Sequence, residues 1–202
     1  MESKWTDNKI FEDENHFCRI DFSASLWATT DLTGLYGNAK LTNLLSSVDS
    51  VVETAKSKSN KPQMPTVVES EDMLLLMEYK KFGDDRSDCE ALTNKQKQDL
   101  RLTQVAKKYY DSLHYAIAMR QNVGSRKIYV WILESPNGDA FLRNQIREKL
   151  RKKLPFLLQK QNNFHEPLID ELHVISIREW SQMFKQFPIS IKQSGKFVSV
   201  EA

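Results

Sequence analysis

Residues 73–80, Met-Leu-Leu-Leu-Met-Glu-Tyr-Lys, constrain the fold more than any other stretch of the chain. Five apolar residues in a row exceed what a half-exposed strand needs. Such a run suits a strand covered on both faces, at the centre of a sheet. It ends in Glu78-Tyr79-Lys80. Side chains two apart leave the same face of a strand, so Glu78 and Lys80 emerge side by side. A carboxylate and an ammonium at the end of a buried strand are costly unless they pair or bind something. The pattern on either side predicts a hairpin, with residues 66–70 and 73–81 as its strands and Glu71-Asp72 as its turn.

Two chemistries fit this trio. One is an ordinary ion pair where a strand leaves the core. The other is a metal-dependent phosphodiesterase site. There Glu78, with a second carboxylate, holds Mg²⁺ through hard oxygen ligands, and the Tyr79 carbonyl adds another oxygen. Lys80 orients or activates the attacking water and offsets charge building on the phosphate. A bare Glu-x-Lys favours the ion pair; the hairpin, the fully apolar strand and the basic, helix-rich remainder raise the second.

Other chemistries lose their residues. His16, His114, His165 and His173 are scattered, with no paired spacing for zinc, and Cys18 and Cys89 stand alone. Six glycines form neither a P-loop nor a dinucleotide fingerprint, and no Gly-x-Ser-x-Gly occurs. No apolar run approaches the length of a membrane span, and the polar start carries no signal-peptide pattern. A cytoplasmic location and no membrane partner are therefore expected. At 202 residues the chain reads as one domain, long enough to bury a sizeable core. A net charge of +2 announces no global field for a nucleic acid, so any basic surface is local.

The remaining elements follow from periodicity. Residues 1–15 are polar and predict a ragged end or short helix; residues 16–23 predict a strand, and 24–39 are irregular. Residues 41–56 are ambiguous. Leu41, Leu44, Leu45, Val48, Val51, Val52 and Ala55 fall at helical spacing, which favours an amphipathic helix. The rival reading ends that helix near Ser47 and makes 48–54 a strand, with Asp49, Val51 and Glu53 on one face. Residues 93–121 predict the longest helix, with Thr93 and Gln96 fitting a capping box and Gly124 closing it. A second buried strand is expected at 127–134, a helix at 140–153, a polar loop at 159–167, a strand at 172–177 and a short helix at 178–184. Residues 187–202 add a short edge strand. The order predicts an α/β domain on a central mixed sheet flanked by helices, with the strands at 73 and 127 parallel across a right-handed helical crossover.

A hairpin whose second strand ends in Glu-x-Lys, followed by a long helix and another strand, resembles the core of the PD-(D/E)XK nuclease superfamily. The likeness covers about residues 41–134 of a single restriction-endonuclease-like domain, 1–202, and the remainder is similar to small bacterial proteins of the same class. It implies a hydrolase that cuts nucleic-acid phosphodiester bonds with Mg²⁺ or Mn²⁺, with DNA as partner and a homodimer as one option for assembly. Glu78 and Lys80 match the Glu-x-Lys. The superfamily's Pro-Asp is replaced by Pro65-Thr66, and a hydroxyl is a poor substitute for a charged metal ligand. Asp49 is the first candidate for the missing ligand, Glu53 its neighbour, and Asp21 the third. If none of them reaches Glu78, the fold is kept and the protein is a binding or interaction module.

Residues 143–160 hold Arg143, Arg147, Lys149, Arg151, Lys152, Lys153 and Lys160 against one acid, Glu148. Such a cluster reads either as a solvated helix face or as a strip facing nucleic-acid phosphates. The resemblance also implies that polar residues on the helix after Glu-x-Lys approach the site, which here makes Lys97, Gln98 and Arg101 candidates. Trp131 is read as core, and Trp180 as packing a terminal helix.

Overall fold

A computed structural model of the chain describes residues 8–30, 32, 45–54, 72–83, 94–118, 125–135 and 140–201. Its strands are β1 (Ile10–Glu12), β2 (Cys18–Asp21), β3 (Trp27–Thr29), β4 (Ser50–Thr54), β5 (Met73–Lys81), β6 (Arg126–Glu134), β7 (Glu171–Ile175), β8 (Ile189–Gln193) and β9 (Lys196–Ser199). Its helices are α1 (Lys95–Ala118), α2 (Ala140–Arg151), α3 (Phe156–Gln161) and α4 (Ile177–Met183).

A five-stranded mixed sheet has the order β3-β4-β5-β6-β7. The apolar run therefore forms the central strand. β4 pairs with β5 antiparallel, and β5, β6 and β7 run parallel. Parallel neighbours need a crossover, which α1 provides between β5 and β6. Alternation along β5 sends Leu74 and Leu76 to one face and Leu75, Met77 and Tyr79 to the other. The first set packs with Tyr129, Trp131, and Leu102, Val105 and Tyr109 of α1, together with Ile146 and Leu150 of α2. The second packs with Ile20, Phe22, Phe187, Ile189 and Trp180. Each fully buried leucine of β5 contributes roughly 2 kcal/mol of hydrophobic stabilisation. Trp131 and Trp180 are both buried, and the indole N–H of Trp180 donates to the Phe187 carbonyl.

The second face is covered by a four-stranded antiparallel sheet, β1-β2-β8-β9, of which the periodicity foresees only the strand over 16–23 and one terminal edge strand. β1 lies where a ragged end or helix was expected, and β3 lies in the irregular stretch. The single edge strand expected at the end is a hairpin. Ser194 and Gly195 both adopt positive φ, 49° and 83°, as a two-residue hairpin turn that matches strand twist requires.

The helix favoured over 41–56 is not formed where it is described, because Ser50–Thr54 is β4. Val51 and Val52 are both completely buried, one against each core. A strand apolar on both faces imitates helical spacing, so periodicity misread it. The antiparallel neighbour of β5 is thus β4; residues 66–70, expected in that place, lie outside the described residues, as does Pro65-Thr66. α1 begins at Lys95, where Oδ1 of Asn94 accepts the N–H groups of Gln96 and Lys97, so Asn94 acts as the cap. Gly124 and Cys89 are outside the described residues. The expected loop at 159–167 begins as the end of α3. No helix among the described residues is long and apolar enough to cross a membrane.

Candidate active-site cleft

β5 carries its only carboxylate, Glu78, three residues before the strand ends. By alternation it shares the face of Leu74 and Leu76, beneath α1. β4 places the second. Ser50 pairs with Met77, and extending that register by one step sets Asp49 opposite Glu78 on the same face. Asp49 is fastened there, since its Oδ2 accepts the Tyr79 N–H at 2.7 Å. The residues before it are tied to α1. The Asp111 carboxylate accepts the Ser46 N–H at 2.8 Å, and the Ser112 hydroxyl accepts the Val48 N–H at 3.0 Å. One helix therefore fixes the approach of Asp49, and its preceding turn contributes Lys108.

Nζ of Lys108 donates to Oε1 of Glu78 at 2.6 Å. Glu78 is 1% exposed, and its Oε2 is buried with no hydrogen-bond partner. Each carboxylate is thus held through one oxygen, by Lys108 or by the Tyr79 N–H, which leaves Glu78 Oε2 and Asp49 Oδ1 for another ligand. Burial pushes the Glu78 carboxyl up to about 8, and the nearby Asp49 charge adds to this while Lys108 opposes it. Burial also raises Asp49. Two buried carboxylates that both resist ionisation in one place mark a candidate functional site.

Asp49, Glu78, Tyr79, Lys80, Lys81, Arg101 and Lys108 line a cleft of about 610 Å³. Its opposite wall is β1 with the turn into β2, from Asn8 to Asn15. Asp13 shapes that turn, its Oδ1 accepting the N–H groups of Phe17 and Cys18 and its Oδ2 that of Asn15. The ammonium of Lys81 lies 3.3 Å from the centroid of the Phe17 ring, joining the end of β5 to the same turn. Lys80 leaves the strand on the face of Glu78, partly exposed, with its Nζ 5.8 Å from the Phe82 ring centroid. The Tyr79 side chain points to the other core, where its buried hydroxyl lacks a hydrogen-bond partner.

The other candidates lie elsewhere. Glu53 pairs with Leu74, four residues from Glu78 along β5, or roughly 13 Å at the rise of a strand. Asp21 lies on β2 and caps Ser23 through its Oδ1. Neither lines the cleft. The basic strip largely serves packing. Arg143 pairs with Glu179 at 2.9 Å, Lys153 with Asp99 at 2.8 Å, and Lys149 donates to Gln98. Arg151 stacks on Phe156, and Arg147 sits 3.4 Å from Glu148. Lys152 and Lys97 are exposed outside the cleft, so of the basic candidates on α1 and α2 only Arg101 lines it. Lys108 is the member that sequence reasoning did not assign. Its signal is spacing: Arg101 and Lys108 are seven apart, flanking the buried stripe of Leu102, Val105 and Tyr109.

Among the described residues no group of three or more His, Cys, Asp or Glu side chains is arranged to hold a metal ion. Asp49 and Glu78 are a pair. That donor set suits Mg²⁺, which is commonly held by one or two carboxylates and completed by waters and substrate phosphates. The orphaned, buried Oε2 of Glu78 fits the same requirement. No protein-family model matches the chain, and neither a curated protein nor a solved structure does.

Proposed function

We propose that the cleft hydrolyses nucleic-acid phosphodiester bonds with a divalent cation, on a restriction-endonuclease-like core. One observation carries this reading: Asp49 stands opposite Glu78 across β4 and β5, each carboxylate held through one oxygen, with Lys80 on the same face. The mixed sheet with its helical crossover is consistent with such a core.

Asp49 and Glu78 would hold Mg²⁺ or Mn²⁺ between them. When bound, such an ion lowers the pKa of a water nucleophile and offsets charge on the phosphate. The chain's own residues do the rest. Lys80 aligns the attacking water and donates to a phosphate oxygen, Lys108 keeps Glu78 in its rotamer, and the Tyr79 N–H does the same for Asp49. DNA is the first substrate class to test, and the reading places the protein in the cytoplasm.

Cleavage of labelled DNA and RNA in Mg²⁺ or Mn²⁺, lost on chelation, is the direct test. Glu78→Gln and Lys80→Ala are each expected to abolish it; unchanged activity in both would overturn the assignment. A second reading has its own observation. The Lys108 ammonium already occupies Oε1 of Glu78 at 2.6 Å, as expected of a nuclease-like fold kept as a binding or interaction module. That reading gains if the wild type binds no divalent cation and cuts nothing.

A further inference from the structure

The two walls of the cleft carry opposite charge. α1 presents Arg101 and Lys108, while the end of β1 presents Glu12 and the β1–β2 turn presents Asp13 and Glu14. Most of these charges are met locally. Lys108 holds Glu78, Glu12 pairs with Arg19 at 2.7 Å, and Asp13 accepts backbone N–H groups. Two have no ion pair among the described residues. Arg101 acts on Glu78 and Asp49 only through its charge, and its Nε is buried without a hydrogen-bond partner. The other, Glu14, is exposed in the turn facing the cleft.

A buried guanidinium N–H with no acceptor is costly until an acceptor arrives, and its planar fork matches phosphate oxygens. Arg101 and Lys108 are seven residues apart, about 10 Å along the helix axis, on one side of α1. The Arg101 charge already acts on both carboxylates, so a strand with one phosphate at Asp49 and Glu78 brings a further phosphate within reach of its fork. A duplex brings a second backbone, which must pass the acidic turn. Like charge facing like charge is a recurrent way to reject a wrong partner.

Resting on the phosphodiesterase reading, we propose that the cleft takes one unpaired polynucleotide strand. Arg101 holds the phosphate beside the reacting one, and Glu14 on the β1–β2 turn disfavours a paired second strand.

The test is fluorescence anisotropy in Ca²⁺ with a labelled mixed-sequence DNA oligonucleotide, alone or annealed to its complement. The single strand is expected to bind at least about tenfold more tightly. Arg101→Gln weakens that binding about tenfold and lowers the salt slope by about one, as loss of one phosphate contact requires. Glu14→Lys, on an exposed position that leaves folding intact, raises duplex affinity by the larger factor. Duplex binding as tight as single-strand binding, or an Arg101→Gln protein of native melting behaviour with unaltered affinity and salt slope, overturns the proposal. Equal cleavage of both forms by the wild type removes this proposal alone. Absence of binding and cleavage with either form removes the phosphodiesterase reading, and this proposal with it.

Discussion

Nζ of Lys108 lies 2.6 Å from Oε1 of Glu78, while Oε2 of the same carboxylate is buried and unpartnered. A helix and a strand thus meet in one charge-assisted bond that orients the carboxylate and leaves half of it available. This division makes Lys108 a positioning residue for whatever Glu78 holds.

Lys108→Met is therefore expected to weaken Mn²⁺ binding about ten- to a hundredfold, the usual cost of losing a partner that orients a ligand. Lys108→Arg keeps the charge and a donor, and restores most of the affinity. Isothermal titration of Mn²⁺ into the three proteins measures this. Equal affinity in wild type and Lys108→Met would leave the contact with a packing role only.

The Glu78 carboxyl is pushed up to about 8, first by burial and then by the Asp49 charge, from an ordinary value of 4.5. The unfolded chain ionises first, so ionisation favours the unfolded state across this window. Stability from a neutral Glu78 is fully present below about 4.5, declines as pH rises toward about 8, and is gone above it. Thermal melts in a chelating buffer between these limits should show a decline that Glu78→Gln lacks. The difference is on the order of 5 kcal/mol at most. Parallel melting curves for the two proteins would show that Glu78 does not titrate there.

Asp49, one residue before β4, and Glu53 within it lie on one face, yet only Asp49 stands opposite Glu78. Asp49→Asn should abolish measurable Mn²⁺ binding, whereas Glu53→Gln should change it by less than about twofold, below 0.5 kcal/mol. Manganese electron paramagnetic resonance on both variants decides between them. Loss of binding in Glu53→Gln alone would move the site along the strand.

Much of the central layer was legible because its signals are local. Five consecutive apolar residues placed β5 at the centre, and helical periodicity found α1 and α2 to within a few residues. The same logic put Glu78 and Lys80 on one face. It failed at 41–56, where burial on two sides made β4 look helical, and at the first 15 residues, where β1 is only three residues long. A strand that short carries almost no period; its existence depends on pairing with β2, and that sheet on β8, about 170 residues away in sequence.

The site divides in the same way. Alternation within one strand is a local property of the backbone, so the sequence alone determined that Glu78 and Lys80 share a face beside a buried run. Which acid stands opposite Glu78 depended on the register between β4 and β5. That register pairs Ser50 with Met77 and Thr54 with Met73, a long-range choice that no local period specifies. Which cation reaches Glu78 depended on how α1 docks, with Asp111 and Ser112 gripping residues 46 and 48. These are long-range choices, made by packing and by the need to satisfy buried polar groups, and only the tertiary structure decided them.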